Sequence, residues 1–204
     1  MKKIAEDAIE NQDNLWIDGM YDGTIIKVFK TDDPNVIVSF TGSIVEVITI
    51  DNGEININNK SFSTIEVTKE SIEEDLQISV ESVMPGEYIQ IPNPGGSWGF
   101  YSNEWIYYST SNNFGSYTIG GLSAILGASI VGVPAAILLS LATTLITNST
   151  AATTSVGSIE RTILESLTFF KTYKITDVVY VLVEDVVNYV DTNVWWETWA
   201  PSGM

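Results

Sequence analysis

The sequence predicts an α+β fold: an N-terminal antiparallel β-sheet, a central apolar helical hairpin and C-terminal β-strands. Three features predict it: short β-branched runs divided by turns up to Val83, a glycine- and alanine-rich apolar stretch over 118–148, and β-branched runs after Ile159. β-branched runs favour strands, whereas a longer apolar stretch favours helix. The 204 residues are 45% hydrophobic, which suffices for one large domain or two small ones.

The N-terminal region is predicted to be mostly strands. Residues 1–20 form either a short amphipathic helix or a loose arm. Asp51-Asn52-Gly53 joins two alternating runs, and Asn-Gly tolerates the positive φ of a type I′ turn, so a tight hairpin is predicted there. The predicted strands cover 24–29, 35–40, 44–50, 54–58, 63–67 and 77–83.

A proline- and glycine-rich segment divides the chain. Pro85, Pro92 and Pro94 remove backbone donors within Met84–Gly99, so regular structure is expected to pause there. Charge also differs on the two sides, since residues 1–104 hold 19 of the 26 acidic residues. The predicted division is an acidic β-rich region over 1–84, a linker over 85–99, and an aromatic-flanked helical hairpin with β-strands over 100–204.

The apolar stretch lies in a run without a charged residue from Trp105 to Ile159. As one helix, residues 119–147 would reach about 43 Å, enough to cross a bilayer core of about 30 Å. Glycine favours a helix end and proline a helix start, so Gly132-Val133-Pro134 favours two short helices broken at 132–134. A single kinked helix is the alternative.

Small residues recur at every fourth position of both predicted helices. This spacing lets helix backbones approach closely, as in membranes, but it also occurs in soluble cores. Both interpretations stay open, because a protein can keep such a hairpin packed in water and release it at a membrane. The predicted membrane or helix-packing residues, including the proline at the break, are Gly120, Ala124, Ala128, Gly132, Pro134, Ala136, Ser140 and Thr144.

Aromatic residues flank the apolar stretch on both sides. Tryptophan and tyrosine favour membrane–water interfaces, yet cross-strand pairing in a sheet explains them somewhat better. The candidate interfacial aromatics are Trp98, Trp105, Tyr107, Tyr108, Trp195, Trp196 and Trp199. Residues 159–173 suit either a helix or a strand, whereas 178–183 and 186–190 are predicted strands.

The composition excludes several function classes. Histidine and cysteine are absent, which removes Ser-His-Asp, Cys-His and zinc hydrolase chemistry. A net charge of −17 repels polyanions, so no nucleic-acid partner is expected. Asp51–Glu54 is better explained as a turn than as a calcium site, and Glu73-Glu74-Asp75 lacks EF-hand spacing. We therefore predict no enzyme, no metal and no cofactor; an enzyme using carboxylates alone is a minor alternative.

The N-terminus gives little information about localisation. Met1-Lys2-Lys3 resembles the start of a signal peptide, but the acidic residues that follow provide no apolar core, so no standard signal peptide is predicted. Three alternatives stay open: the chain remains inside the cell, it is secreted by another route, or the sequence is a processed form that begins with a new Met.

The layout resembles large, unmodified bacteriocins of Gram-positive bacteria, of the geobacillin-like type. The resemblance rests on the order of features over 95–147 and 171–199 and on no shared motif. It implies a secreted antibacterial toxin that disrupts target-cell membranes by insertion of the helical hairpin, with the acidic N-terminal region as a solubilising part. The alternative is a structural, self-associating subunit of a filament or coat, with the hairpin buried.

Overall fold

A computed structural model describes residues 2–10, 14–73, 86–130, 133–149, 156–183 and 186–201. Within these ranges, eleven antiparallel strands form one sheet in the order β1-β2-β3-β4-β5-β6-β8-β9-β10-β11-β7. The strands are β1 (Leu15–Tyr21), β2 (Thr24–Lys30), β3 (Val36–Thr41), β4 (Ile44–Asp51), β5 (Glu54–Ile57), β6 (Lys60–Glu73), β7 (Gly86–Ile91), β8 (Trp98–Thr110), β9 (Val156–Ser166), β10 (Thr172–Val183) and β11 (Val186–Pro201). The helices are α1 (Lys2–Glu10), α2 (Ile119–Ser129) and α3 (Ala135–Asn148), with a 3-10 turn at Phe114–Ser116.

The predicted α+β fold with a central helical hairpin is wrong, because the strands before and after the helices belong to one sheet. β6 joins the two parts: its first residues pair with β5 and Ile65–Glu73 pair with β8. β8 then pairs with β9, and the segment of chain between these two strands contains α2 and α3. The short helices therefore lie on a large antiparallel sheet and do not form a central unit between separate sets of strands.

The hairpin at Asp51-Asn52-Gly53 is confirmed. β4 ends at Asp51, β5 begins at Glu54, and the two turn residues have φ values of +49° and +82°. Gly53 also passes close to the neighbouring strand, since a Cβ there would lie 2.8 Å from the Ile65 carbonyl oxygen. Local turn chemistry alone accounts for this element.

The second half contains more strand than the sequence indicated. The ambiguous run after Ile159 belongs to strand β9, and the strands predicted at 178–183 and 186–190 are confirmed within β10 and β11. Part of the predicted linker is strand β7, which pairs with the end of β11. The predicted strand at 77–83 and Pro85 lie outside the described residues, and the predicted domain division stays a prediction.

The helices cover both faces of the N-terminal strands. On one face, α1 places Ala8 against Phe29, Val38 and Val47. On the other, called here the inner face, α2 and α3 pack in the main core, whose sheet residues include Val28, Ile48 and Ile106. Strands β3 and β4 have three consecutive buried residues each, because both of their faces are covered, whereas β9 alternates with the period of two.

Candidate functional site

The apolar faces of α2 and α3 are buried against the inner face of the sheet. Leu122, Ile125 and Leu126 of α2 are fully buried, as are Leu138 and Leu145 of α3. The apolar stretch forms two separate helices, as the sequence indicated: α2 ends at Ser129, and Pro134 is the N-cap of α3. Among the described residues, no helix is both long and apolar enough to cross a membrane.

The residues of the predicted small-residue stripe differ in burial. Gly120 and Ala124 are buried, Ala128 and Ala136 are exposed, and Pro134, Ser140 and Thr144 are intermediate. Gly132 lies outside the described residues. A Cβ at Gly120 would lie 2.8 Å from the Thr41 hydroxyl oxygen on β3, so this glycine allows α2 to approach the sheet closely.

A buried carboxylate anchors the start of α2 to the sheet. Glu46 on β4 is 8% exposed and accepts hydrogen bonds from Ser39 Oγ at 3.0 Å and Thr118 Oγ1 at 2.6 Å. Thr118 in turn accepts from the Gly121 amide at 2.9 Å and so caps the helix. A negative charge is favourable at a helix N-terminus, and the Gly120 amide also donates to Thr41 Oγ1 at 3.0 Å, so several polar contacts fix the start of α2 on the sheet.

The predicted interfacial aromatics divide between the two faces of the sheet. Tyr108 and Trp195 are buried on the inner face. Tyr107 is exposed on the outer face, beside Trp105, which is intermediate. Trp98, Trp196 and Trp199 are also intermediate in burial. All seven lie in β8 or β11, so they take part in the sheet whether or not any of them also meets a membrane.

A row of polar side chains crosses four adjacent strands on the inner face. Glu104, Arg161, Asp177 and Asn193 are direct cross-strand neighbours on β8, β9, β10 and β11. Arg161 donates two hydrogen bonds to the Asp177 carboxylate, both at 2.9 Å, and its Nη1 lies 3.5 Å from Glu104 Oε1. Arg161 and Asp177 are 5% and 1% exposed, so the pair is removed from water.

Burial and pairing shift the pKa values of this row. Burial raises the pKa of the Asp177 carboxyl above its ordinary value, against the opposing hydrogen bonds and charge of Arg161. For Arg161, burial lowers the pKa, but the hydrogen bond and charge of Asp177, with the charges of Glu104 and Glu197, outweigh burial and raise it. Within this row, Arg161 and Asp177 form a structural ion pair in the sheet interior.

Thermal stability is expected to rise as the pH falls from neutral toward the ordinary carboxyl pKa. Burial raises the pKa values of Asp177 and Glu197 above 3.8 and 4.5. A carboxyl with a higher pKa in the folded state favours folding when protonated, and this contribution is lost as the pH rises through that pKa. Protonation also relieves repulsion within a chain of net charge −17.

Calorimetric Tm values across this range check the expectation, and Glu197→Gln should flatten the profile. A Tm that falls steadily as the pH is lowered over the same range would contradict it.

The described residues contain no cluster of three or more Asp or Glu side chains suited to a metal ion. Asp51 and Glu54 border the β4–β5 turn, whereas Glu74 and Asp75 lie outside the described residues. A cleft of about 390 Å³ lies beside the β2–β3 turn and is lined by Trp16, Lys30, Asp32 and Asp33 among others.

Exposed apolar side chains form a group at each end of β10, and a third group, with Met20, Ile25 and Ile44, lies on the N-terminal strands. The β9–β10 turn exposes Leu167, Phe169 and Phe170, at 72%, 44% and 75%; we call these three residues the turn patch. At the other end, the start of β11 exposes Val186, Val187 and Tyr189, at 59%, 65% and 62%; these form the valine patch. Contiguous exposed apolar groups of this kind mark sites of interaction.

Comparison with protein-family models, with curated proteins and with solved structures gave no significant match.

Sequence reasoning missed the turn patch, Glu46 and the Arg161 row. The sequence of Leu167–Tyr173 suits a strand, but residues 167–171 form the turn between β9 and β10. The Thr168 amide donates a hydrogen bond there to Ser166 Oγ at 3.2 Å. Two consecutive phenylalanines beside a turn were the available signal. Arg161 is the chain's single arginine, but nothing local indicates that it faces Asp177, 16 residues away.

Proposed function

We propose that this protein is a structural subunit that assembles head to tail through the turn patch of one copy and the valine patch of the next. The observation that carries the proposal is the exposure of two different apolar patches at opposite ends of one long strand. The apolar faces of α2 and α3, by contrast, are already covered by the sheet.

The arrangement of the patches favours a propagating contact. β10 has twelve residues, so the patches lie about 40 Å apart along the strand direction. A contact between two unlike surfaces is heterologous, and it builds a ring or an open filament according to whether the rotation closes. Burying phenylalanine and leucine against valine and tyrosine would supply the hydrophobic driving force.

The edges of the sheet are poorly suited to a competing mode of assembly. The edge strand β7 has six residues and is followed by Pro92 and Pro94, while the other edge, β1, carries an irregularity between Leu15 and Ile17. Short, irregular or proline-flanked edges resist strand addition by another copy. Association through strand ends is therefore favoured over growth of the sheet.

Two double variants test this directly: Leu167→Ser/Phe170→Ser removes the turn patch, and Val186→Ser/Val187→Ser removes the valine patch. The wild type should grow with concentration in sedimentation velocity, more strongly at higher salt because screening weakens repulsion between acidic copies. Each variant alone should remain a monomer. An equimolar mixture should stop at dimers, because each pair retains one complete interface.

Met20→Ser/Ile25→Ser is the matched control, since these side chains are 65% and 53% exposed on the paired strands β1 and β2; it should assemble like the wild type. A wild type that stays monomeric at all concentrations overturns the proposal. Dimers formed by either patch variant alone would instead show a symmetric contact and overturn the head-to-tail arrangement.

Membrane disruption by a secreted protein is the second candidate, and one observation favours it. The run from Trp105 to Ile159 contains no charged residue, so transfer of α2 and α3 into lipid would bury no ionised group. Release of α2 from the sheet would require breaking the hydrogen bond from Thr118 Oγ1 to the Glu46 carboxylate. Dye leakage from liposomes tests this candidate, and its absence with intact protein under any condition of pH or lipid charge would reject it.

A further inference from the structure

The outer face of β8, β9 and β10 carries an array of aromatic rings, which adjoins the valine patch at Tyr189. The ring planes of Trp105 and Tyr107 are 17° apart with centroids at 6.2 Å, and those of Trp105 and Tyr180 are 23° apart with centroids at 5.8 Å. Tyr189 then meets Tyr180 edge-on at 6.5 Å. The Trp105 ring is thus nearly parallel to both tyrosine rings; Tyr107 is exposed, and Trp105 and Tyr180 are intermediate in burial.

Fixed polar groups lie directly beside these rings. The Glu160 carboxylate accepts hydrogen bonds from Asn103 Nδ2 and from the Tyr180 hydroxyl, both at 3.4 Å. Asn103 Nδ2 also donates to Thr162 Oγ1 at 3.1 Å. A carboxylate has about four acceptor positions, and an amide oxygen has two, so Glu160 and Asn103 retain capacity for a ligand after making these contacts.

Packing of the described helices does not account for this array. The described helices occupy other surfaces, since α1 packs on Phe29, Val38 and Val47, whereas α2 and α3 pack on the inner face. Tyr107 remains 39% exposed and Tyr189 62% exposed. Large aromatic side chains on a water-facing sheet, alternating with hydrogen-bonding groups, are suited to a ligand that is apolar on one face and polar at its rim.

We propose that the Trp105–Tyr107–Tyr180 surface, with Asn103 and Glu160, binds an uncharged polysaccharide. A hexose ring presents a C–H face that packs on an aromatic ring and equatorial hydroxyls that bond to carboxylate and amide groups. A chain of such units would place successive sugars across the rings. Polyanionic glycans are disfavoured by the net charge of −17.

The competing ligand class is an organic cation, which aromatic rings and Glu160 could also attract. The Asn103–Thr162 pair argues for the sugar, because an ammonium group needs neither a carboxamide nor a hydroxyl beside it. Trp105, Tyr107 and Asn103 belong to neither patch, and the site meets the valine patch only at the Tyr180–Tyr189 contact; the turn-patch variant therefore separates the two proposals.

The test is retardation of the full-length protein in native gels containing β-glucan, glucomannan or xylan, with pull-down on insoluble cellulose and chitin. At least one of these polymers should retain the wild type. Trp105→Ala should weaken retention by about tenfold or more, Asn103→Ala should weaken it measurably, and Trp105→Phe should restore most of it. Circular dichroism verifies that each variant is folded.

Tyr21→Ala is the matched control, because Tyr21 is an exposed aromatic residue, at 40%, on β1 far along the sheet order; its retention should equal that of the wild type. Leu167→Ser/Phe170→Ser should also bind normally, which separates this test from that of assembly. No retention by any of the five polymers, equal retention of Trp105→Ala, or displacement by millimolar choline would overturn the proposal.

Discussion

Replacing Arg161 by methionine is expected to lower the free energy of unfolding by about 3–5 kcal/mol. The substitution removes both 2.9 Å hydrogen bonds to Asp177 and leaves that carboxylate 1% exposed in the sheet interior. A buried charge without its partner suffers the desolvation cost without the compensating attraction. The guanidinium also lies 5.5 Å from the Trp195 ring centroid, so packing is lost as well.

The pair and the packing can be separated in one experiment. Arg161→Met/Asp177→Leu should recover most of the loss, because apolar replacement of a whole buried pair is often neutral. Lys27→Met breaks the exposed Lys27–Asp18 pair at 3.6 Å and should cost less than about 1 kcal/mol. Urea unfolding at a concentration where the protein is monomeric measures all three. A loss for Arg161→Met no larger than that for Lys27→Met would contradict the expectation.

The elements that could be predicted from sequence are those decided by a few adjacent residues. Asn52-Gly53 determines its hairpin because both residues accept positive φ. Pro134 marks the start of α3 because proline is tolerated at a helix N-terminus and not inside one. Neither inference needs knowledge of a distant partner.

The fold class could not be predicted because it depends on pairings between distant residues. β6 is long enough to pair with both β5 and β8, but its sequence does not state which strands lie beside it. β8 begins at Trp98 among the glycines and prolines that indicated a linker, and its partner β9 starts 46 residues after it ends. The Arg161–Asp177 contact requires the β9–β10 register, which strand propensity does not specify.

The proposed ligand-binding surface likewise combines residues that the sequence indicates with residues that only strand pairing brings together. Trp105 and Tyr107 were recognised as notable aromatics from the sequence, and cross-strand pairing was the favoured explanation. Asn103 lies two residues before Trp105 on the same strand, but Glu160 and Tyr180 come beside them only through pairing of β8, β9 and β10. A site assembled across three strands therefore appears once the register is known, whereas its individual residues are unremarkable in the linear sequence.

Replacing Leu126 by alanine is expected to destabilise the protein by about 2–5 kcal/mol. Leu126 is fully buried in the core shared by α2, α3 and the sheet, so the substitution leaves a cavity where the helices are held. Leu167→Ala makes the same chemical change at a side chain that is 72% exposed, and its stability should change by less than about 0.5 kcal/mol. Urea unfolding of both variants measures the difference, and equal losses would contradict it.

The Leu126→Ala variant also separates the two proposed functions. If the helices enter lipid, weakening the packing of α2 and α3 on the sheet should increase dye leakage from liposomes. This increase should exceed that of Phe29→Ala, which creates a cavity under α1 on the opposite face of the sheet, away from α2 and α3. If the protein is an assembling subunit, neither variant should cause leakage while folded, and both should still assemble because the strand-end patches are unchanged. Leakage specific to Leu126→Ala would therefore favour membrane action, since general loss of stability affects both variants alike.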